Sequence, residues 1–290
     1  MGLDLQGVSP LNLEALQRNL QSQYFGVGDR LLYFTSVEST NTLAMQLAYE
    51  RPEEGLVILT DSQTAGKGRR GRRWVDVPGC NVLMSMLFRP LFLPHMLVMI
   101  TSLAVVDTIA DICQVEAAVK WPNDVLVGDR KVAGILIETS HDSGGSLIAV
   151  AGIGINVNGG IEELTRRSSE QVPLQTIATT LETECGHKVN REIFIARLLQ
   201  NIEESYLILQ QETADLPEVG TVVGEPFSRL IRDRWKSQLS TLGRNITVQQ
   251  GNSVISGIAE DVDESGELLL RRHSGELVRI TWGDVNHPGR

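Results

Sequence analysis

The sequence predicts a mixed α+β fold, in which a mixed β-sheet with flanking helices is followed by a small C-terminal β-barrel. Residues 132–139 and 147–156 are apolar runs joined by the turn sequence Asp142-Ser143-Gly144-Gly145, which is typical of a hairpin. Longer stretches with apolar residues at helical spacing, such as residues 191–211, predict the helices. From residue 246 onward, short β patterns alternate with glycine turns, as in a small barrel or sandwich.

The first half of the chain alternates helical and strand patterns. This half begins with leucines at helical spacing, and the helical pattern ends before Gly26 and Gly28. The serines before Asn41 are typical of a helix start, and Pro122 predicts a tight bend between two short strands. We expect helices at residues 11–20, 42–49 and 96–113, and strands at residues 31–34, 56–60, 82–88, 117–120 and 125–127.

Helices dominate the next part of the chain, at residues 174–184, 191–211 and 227–242, with a polar connection at residues 211–225. The pattern changes at about Gly243, so we predict a catalytic domain at residues 1–242, with its core from about residue 30, and a second domain at residues 243–290. About 48 residues form little core of their own, so we expect this second domain to pack against the first.

Composition excludes several classes of protein. The formal net charge of −10 argues against a broad nucleic-acid-binding face, because affinity for a duplex requires many cations. Three cysteines, Cys80, Cys113 and Cys185, are too far apart for a zinc ribbon or a C-x-x-C pair. The longest apolar stretch, residues 96–106, is shorter than the roughly 20 residues of a membrane span, and residues 1–7 do not resemble a signal peptide. We therefore expect a cytoplasmic protein without nucleic-acid or membrane partners.

Residues 63–74 read Q-T-A-G-K-G-R-R-G-R-R-W and differ sharply from the acidic remainder of the chain. Glycines let a backbone approach a ligand closely, and Arg side chains match carboxylates and phosphates, so this segment is suited to binding oxyanions. It is not a Walker A motif, which requires G-x-x-x-x-G-K-S/T. On composition alone, a solvated basic loop or a nucleic-acid patch stays open. The five cations are Lys67, Arg69, Arg70, Arg72 and Arg73, and the glycines are Gly66, Gly68 and Gly71.

A second segment, residues 120–131, reads K-W-P-N-D-V-L-V-G-D-R-K and favours binding over a purely structural role. It places cations, an amide and a carboxylate on one bent β segment. Asn156 ends an apolar strand, where it is either a turn former or a hydrogen-bonding group for a ligand. Ser39-Thr40-Asn41 is equally open, as a helix N-cap or as part of a binding site.

Taken together, these segments resemble the biotin protein ligases. The match includes S-T-N at residues 39–41, Q-T-A-G-K-G-R-R-G-R at 63–72, K-W-P-N-D at 120–124, R-K-V-A-G-I-L-I-E at 130–138 and G-I-N-V at 154–157. Their order and spacing agree over about residues 30–160, and the C-terminal module resembles the SH3-like domain of that family. The resemblance implies an ATP-dependent ligase that forms biotinyl-5′-AMP and then transfers biotin to a lysine of a biotin carboxyl carrier domain.

The resemblance also implies roles for individual residues. A carboxylate that attacks an α-phosphate brings two anions together, so cations must offset the charge. Lys131, Arg69 and Asp124 are the expected catalytic residues, and Asp124 either holds Mg²⁺ or orients the acceptor lysine, two roles that the sequence does not separate. Expected biotin-binding residues are Ser39, Thr40, Asn41, Gln63, Lys67, Gly68, Arg69 and Lys131. Expected ATP- or adenylate-binding residues are Arg69, Arg72, Trp74, Asn123, Lys131 and Asn156.

Some features differ from the family pattern. Only about 30 residues precede the strand at Tyr33, so we expect no DNA-binding domain and a monofunctional ligase. Gln171 and Val172 stand where some members carry an aromatic residue over the adenine, and Lys67 replaces an arginine of many relatives. A lipoate or octanoate ligase is the alternative enzyme and a nucleic-acid-binding module the alternative without catalysis. A homodimer also stays open, because strand edges and apolar patches are three-dimensional features.

Overall fold

The computed structural model describes residues 10–50, 53–167, 178–215 and 226–286. The helices in these ranges are α1 Leu13–Asn19, α2 Thr40–Glu50, α3 His95–Cys113, α4 Ile161–Arg167, α5 Leu181–Cys185, α6 Arg191–Ala214 and α7 Phe227–Ser237. The strands are β1 Leu31–Phe34, β2 Val57–Thr60, β3 Val82–Phe88, β4 Ala117–Lys120, β5 Asp124–Val127, β6 Arg130–His141, β7 Leu147–Ile155, β8 Asn245–Gln250, β9 Ser253–Val262, β10 Leu268–Arg271, β11 Leu277–Ile280 and β12 Asp284–Asn286.

The first seven strands form one mixed sheet in the order β1-β2-β3-β7-β6-β5-β4. β1 and β2 are parallel, and the other neighbours are antiparallel. The predicted hairpin is β6 and β7, in which Ile135 lies opposite Ile153. The peptide bond between Trp121 and Pro122 is cis and lies at the bend between β4 and β5, where the sequence predicted a tight turn.

The two faces of the sheet differ, because side chains alternate along each strand. On β7, Ile153 and Ile155 point into the large core beside α3 and α6. Ile148 and Val150 point to the other face and pack with α2. Further along that second face, β7 carries Gly152 and Gly154, whose lack of a side chain lets the Asn41 and Trp74 side chains lie directly on the strand backbone. The α2 face is therefore where a ligand can lie against the sheet.

Helix α3 is the central helix of the large core. Among the described helices it is the one that is long and apolar enough to cross a membrane, and 72% of its apolar window is buried inside the protein. It packs on α6, α7 and the sheet, and its position confirms the helix predicted at residues 96–113. Gln114 ends it in a left-handed conformation, with φ of 55°.

The last five strands form a separate antiparallel sheet in the order β11-β10-β9-β8-β12. Among the described residues no pairing of β11 with β12 closes this sheet into a barrel. Its apolar side chains, Ile246, Val248, Leu268 and Leu270 among them, belong to the same continuous core as α3. Nε1 of Trp121 donates a hydrogen bond to the Gly266 carbonyl at 2.9 Å. The C-terminal sheet therefore packs directly against the larger part of the protein, as its small size led us to expect.

Several predicted helix boundaries were wrong. Helix α7 ends at Ser237, five residues early, because Leu239 forms a β-bridge with Val119 of β4. Helix α6 continues to Ala214, into the predicted connection. Helix α4 was not predicted. Of the helix expected at residues 174–184, the described part forms only α5. Residues 1–9, 168–177 and 216–225 lie outside the described residues. The domain boundary expected at about residue 243 stays a prediction.

Candidate active site

The segment expected to bind oxyanions, residues 63–74, lies in the connection between β2 and β3 and is named here the Gly-Arg loop. It forms a tight hairpin, in which the Gly68 amide donates to the Arg72 carbonyl at 2.8 Å and the Trp74 amide to the Gly66 carbonyl at 3.0 Å. A Cβ on Gly66 would lie 2.8 Å from the Trp74 carbonyl oxygen, so only glycine allows this approach. Arg70, at the tip, has φ of 59°. The glycines thus allow the tight hairpin, and the cationic side chains lie around its tip.

Each of the five cations of the Gly-Arg loop contacts an acceptor within the protein. Lys67 pairs with Glu138 at 3.7 Å, Arg69 donates to Oδ1 of Asn123 at 3.0 Å, and Arg73 donates to the Thr64 carbonyl at 2.8 Å. Arg70 and Arg72 both reach Oδ2 of Asp284, at 3.0 and 2.9 Å. These contacts offset the repulsion among neighbouring cations and orient the arginines individually.

Polar side chains from α2, β3 and the Gly-Arg loop meet on the open face of the sheet. We call Thr40, Asn41, Gln63 and Ser85 the amide cluster. The Thr40 amide donates to Oε1 of Gln63 at 2.8 Å. The hydroxyl of Ser85 lies 2.7 Å from Oγ1 of Thr40 and 2.6 Å from Oδ1 of Asn41, and Nδ2 of Asn41 donates to Glu138 at 2.8 Å.

The amide cluster, buried apart from half-buried Gln63, carries no formal charge, so it suits a neutral polar group of a ligand. Ser39 is buried beside it, with its hydroxyl 3.5 Å from the Thr42 amide. That position fits the helix N-cap, whereas Thr40 and Asn41 take part in the cluster itself.

Three glycines form a flat floor on β6 and β7 between the amide cluster and the cations. A Cβ on Gly152 would lie 2.2 Å from Oδ1 of Asn41, and a Cβ on Gly154 would lie 2.6 Å from Cε2 of Trp74. A Cβ on Gly134 would lie 3.0 Å from both Lys131 Nζ and the Trp74 ring. Flat groups can therefore lie directly on the backbone at this point, and the Trp74 indole does so.

A charged cluster lies at the end of this floor. We define it as Arg69, Asn123, Asp124 and Lys131. Lys131 Nζ is 2.6 Å from Asp124 Oδ1 and 5.5 Å from the centroid of the Trp74 ring. Burial lowers the pKa of the Arg69 guanidinium. The structure therefore brings together the residues predicted to be catalytic.

Lys120 adds a further cation to this region. Burial lowers the pKa of its ammonium group, with Lys131 and Arg72 acting in the same direction and Asp124 and Asp284 opposing it. The groups that influence Lys120 belong to β5, β6, the Gly-Arg loop and the C-terminal sheet. These four elements therefore share one electrostatic environment.

Asn156 lies beside the charged cluster, in a buried hydrogen-bond network. Its Nδ2 donates to the Thr179 carbonyl at 3.1 Å, and its Oδ1 accepts from Nδ2 of Asn81 at 3.1 Å. The Thr179 amide donates to the Lys131 carbonyl at 2.9 Å, which connects the network to the strand that carries the central lysine. Of the residues expected near an adenine, Gln171 and Val172 lie outside the described residues.

A cavity of about 420 Å³ lies between the Gly-Arg loop and β6. It is lined by the loop from Ala65 to Arg73 and by Leu136 and Glu138. Within the described ranges no group of three or more His, Cys, Asp or Glu side chains forms a metal site. The Asp124 carboxylate is nevertheless an oxygen ligand of the kind that Mg²⁺ accepts when phosphates and water supply its other ligands.

Sequence reasoning missed four residues of this site. Ser85 could have been noticed as a single hydroxyl within the apolar run of β3, and Glu138 as a carboxylate on an apolar strand. Asn81 directly precedes β3 and has no distinctive local pattern. Asp284 is remote in sequence and joins the site only through the fold.

Comparison with known proteins agrees with this geometry. The biotin/lipoate A/B protein ligase family model matches residues 33–158, and that of the biotin protein ligase C-terminal domain matches residues 241–287. The chain is 31% identical over 264 residues to the bifunctional ligase/repressor BirA of Bacillus subtilis, which covers 89% of this chain and 74% of that protein. It is 32% identical over 246 residues to the biotin–acetyl-CoA-carboxylase ligase of Paracoccus denitrificans, which covers 83% of this chain and 94% of that protein.

A solved structure shares the fold as well. The biotin protein ligase of Aquifex aeolicus, in complex with biotin and ATP, superposes with a TM-score of 0.68 at 25% identity, covering 88% of this chain and 97% of that one. Sequence and structure thus agree over both sheets. The chain belongs to the biotin protein ligases, the members of the biotin/lipoate A/B protein ligase family that carry this C-terminal domain.

Proposed function

We propose that this biotin protein ligase forms biotinyl-5′-AMP from biotin and ATP and transfers the biotinyl group to a lysine of a biotin carboxyl carrier domain. The observation that carries the proposal is the arrangement along one face of the sheet. A neutral amide cluster and a charged cluster are joined by a glycine floor that the Trp74 indole covers. Such a site suits an elongated ligand with an uncharged polar head and an acidic end.

The amide cluster would bind the ureido ring of biotin. A ureido group presents one carbonyl acceptor and two N–H donors, and the hydroxyls and amides of Thr40, Asn41 and Ser85 offer both kinds of partner. Ser39 and Gln63 would support the cluster from the start of α2 and from the Gly-Arg loop. Lys67 and Gly68 would lie beside the valeryl tail, along the cavity under that loop.

The charged cluster would carry the first step. A biotin carboxylate oxygen attacks the α-phosphorus of ATP, and the bond from that phosphorus to the bridging oxygen breaks as pyrophosphate leaves. Both reactants are anionic, so Arg69 and Lys131 would lower the barrier by offsetting their charge and holding them in line. Arg72 would contact the phosphates, Trp74 and Asn123 would line their path, and Asn156 would lie next to the adenine.

In the second step, the acceptor lysine would attack the acyl carbon of the adenylate, and AMP would leave. A free lysine amine has a pKa near 10.4, so it must lose a proton before it attacks. Asp124 is the carboxylate of the charged cluster, and its contact with Lys131 would hold it beside the reacting carbon. We propose Asp124 as the group that orients the incoming amine.

Magnesium is part of the same proposal. As the alternative role for its carboxylate, Asp124 would hold Mg²⁺ together with the substrate phosphates in the first step, and the ion would supply positive charge to the leaving pyrophosphate.

We also propose a cytoplasmic location and a carboxylase carrier domain as the partner, with a homodimer as a further state. The acceptor follows from the relatives, because the Paracoccus denitrificans protein is named for acetyl-CoA carboxylase. We propose that no nucleic acid binds, because the net charge is −10 and the cations of the Gly-Arg loop each contact an acceptor within the protein.

The test is the exchange of labelled pyrophosphate into ATP with biotin, lipoate and octanoate as separate substrates. Exchange that depends on biotin supports the proposal, whereas exchange with lipoate or octanoate and none with biotin would replace it by the alternative ligase. Transfer is then measured with a purified biotin carboxyl carrier domain and with its acceptor Lys→Arg variant as the control.

A further inference from the structure

Two arginines of the Gly-Arg loop reach outside the catalytic sheet to one carboxylate, Asp284 of β12. Arg70 Nη1 lies 3.0 Å from Oδ2 of Asp284, and Arg72 Nη2 lies 2.9 Å from the same oxygen. The Asp284 side chain is 20% exposed, so the group is largely shielded from water. The C-terminal sheet therefore supplies an anion to the loop that we propose binds the phosphates.

The two arginines are held very differently. Arg70 also donates to the Gln249 carbonyl at 3.0 Å and stacks over the Trp282 ring at 4.7 Å, and its side chain is 30% exposed. The side chain of Arg72 is 62% exposed, and Asp284 is its hydrogen-bond partner. Arg70 thus has three contacts that do not involve a ligand, whereas Arg72 can leave by breaking one ion pair.

Asp284 also acts on Arg69 of the charged cluster and on the additional cation Lys120. Its negative charge opposes the effect of burial on the pKa of both Arg69 and Lys120. The carboxylate therefore lies among the cations that a polyphosphate chain would meet, and two anions in one place compete for the same cations.

We propose that Asp284 is a positioning residue that competes with the substrate polyphosphate for the Arg72 guanidinium, while Arg70 stays bound to the C-terminal sheet. Arg72 exchanges one oxyanion for another, and Arg70 keeps the tip of the Gly-Arg loop in place during the exchange. This inference rests on the proposed function, because the competing ligand is the pyrophosphate part of ATP.

The competition has a defined energetic consequence. A carboxylate that must be displaced weakens phosphate binding, so its neutralisation should tighten that binding. Because the pair is partly exposed, we expect a change of about two- to tenfold in affinity. If Asp284 served only to hold the loop in shape, its neutralisation would weaken phosphate binding instead.

The experiment compares Asp284→Asn, Arg72→Met and the double variant by calorimetric titration with inorganic pyrophosphate in the presence of biotin. We expect Asp284→Asn to lower the dissociation constant about two- to tenfold, and to change it much less in the Arg72→Met background. The KM for ATP should fall in parallel, with the KM for biotin unchanged. Asp261→Asn is the matched control, because it neutralises another carboxylate of the C-terminal sheet that pairs with Lys236 of α7 at 2.7 Å.

Weaker or unchanged pyrophosphate binding in Asp284→Asn would overturn the inference. So would equal tightening with and without Arg72, or equal tightening in Asp261→Asn, because either result would indicate a general effect of net charge. Asp284→Ser repeats the comparison if the asparagine variant melts early. Wild-type exchange without any dependence on biotin would refute the proposed function alone, since the calorimetric comparison decides about Asp284 separately.

Discussion

The indole ring of Trp74 lies directly on the backbone of Gly154, where a Cβ would come within 2.6 Å of Cε2 and 2.8 Å of Cζ2. Nε1 of the same ring is buried, and no hydrogen-bond acceptor within the described residues reaches it. A buried N–H group without a hydrogen-bond partner costs free energy, so we expect the Trp74 ring to change position or to donate a hydrogen bond when a ligand binds. The contact also joins the Gly-Arg loop to the sheet.

The first prediction follows from this contact. Gly154→Ala should displace the Trp74 indole and weaken binding of the adenylate about tenfold or more, because the added methyl meets a ring atom and cannot be accommodated by rotation alone. Binding is measured by the change in tryptophan fluorescence on addition of biotin and ATP. Gly144→Ala, in the turn between β6 and β7, is the control and should bind as the wild type does. Unchanged affinity in Gly154→Ala would show that this contact is not part of the site.

The second prediction concerns Ser85, which is fully buried and contacts Thr40 and Asn41. Ser85→Ala should raise the KM for biotin by roughly five- to a hundredfold, since an unmet buried acceptor costs about 1–3 kcal/mol. The KM for ATP should stay near its wild-type value. Ser102→Ala removes another fully buried hydroxyl, on α3, and should lower stability without changing either KM. Equal effects of Ser85→Ala on both substrates would argue against a role at the biotin end.

The third prediction concerns Lys131, whose ammonium lies 2.6 Å from Asp124. Lys131→Ala should lower the rate of adenylate formation about 100- to 1000-fold, as expected for loss of a preorganised charge in the transition state. The fold should survive, because the side chain is 34% exposed. Lys236→Ala is the matched control, since Lys236 also pairs with an aspartate, at 2.7 Å, and is 42% exposed. Exchange rates near wild type in Lys131→Ala would remove this residue from the mechanism.

Local patterns predicted the sheet well. β1 and β3 begin and end at the predicted residues, because each strand coincides with a run of apolar residues in the sequence. Helix α7 was predicted too long. The residues around Leu239 are compatible with a helix, but in the structure Leu239 pairs with Val119 of β4 instead. A contact between segments so far apart in sequence leaves no trace in local periodicity.

In the candidate site, too, local sequence motifs predicted some residues, whereas residues that depend on contacts between distant segments were missed. Motif order was enough to select Lys131, Asp124 and Asn41, because each lies within a recognisable segment. Ser85 and Asp284 depend on partners 44 and 212 positions away, Asn41 and Arg72 respectively. Their roles come from the fold, and a single sequence carries no pairwise signal that would reveal them.

The fourth prediction concerns Glu203 of α6, which anchors the segment after α1. Its carboxylate accepts hydrogen bonds from the backbone amides of Gln23, Tyr24 and Phe25 at 2.8–2.9 Å, and from the Ser22 hydroxyl. Burial tends to raise the pKa of this carboxyl, but the bonds from Ser22 and the three amides outweigh it and leave the pKa below the ordinary value of 4.5.

A lowered folded-state pKa means that ionised Glu203 stabilises the fold above the unfolded-state pKa, and that this stabilisation is lost as the pH falls through the folded-state pKa. Glu203→Gln should therefore lower the free energy of unfolding at pH 7 by about 2–3 kcal/mol, because an amide nitrogen replaces an acceptor that faces N–H donors. The difference from wild type should begin to shrink as the pH falls below the ordinary value of 4.5, where the unfolded-state carboxyl becomes protonated, and should be lost once the folded-state carboxyl is protonated as well. Urea unfolding at a series of pH values measures it, with Glu204→Gln on the exposed side of α6 as the control. A difference that is constant with pH would mean that the ionised carboxylate is not what anchors this segment.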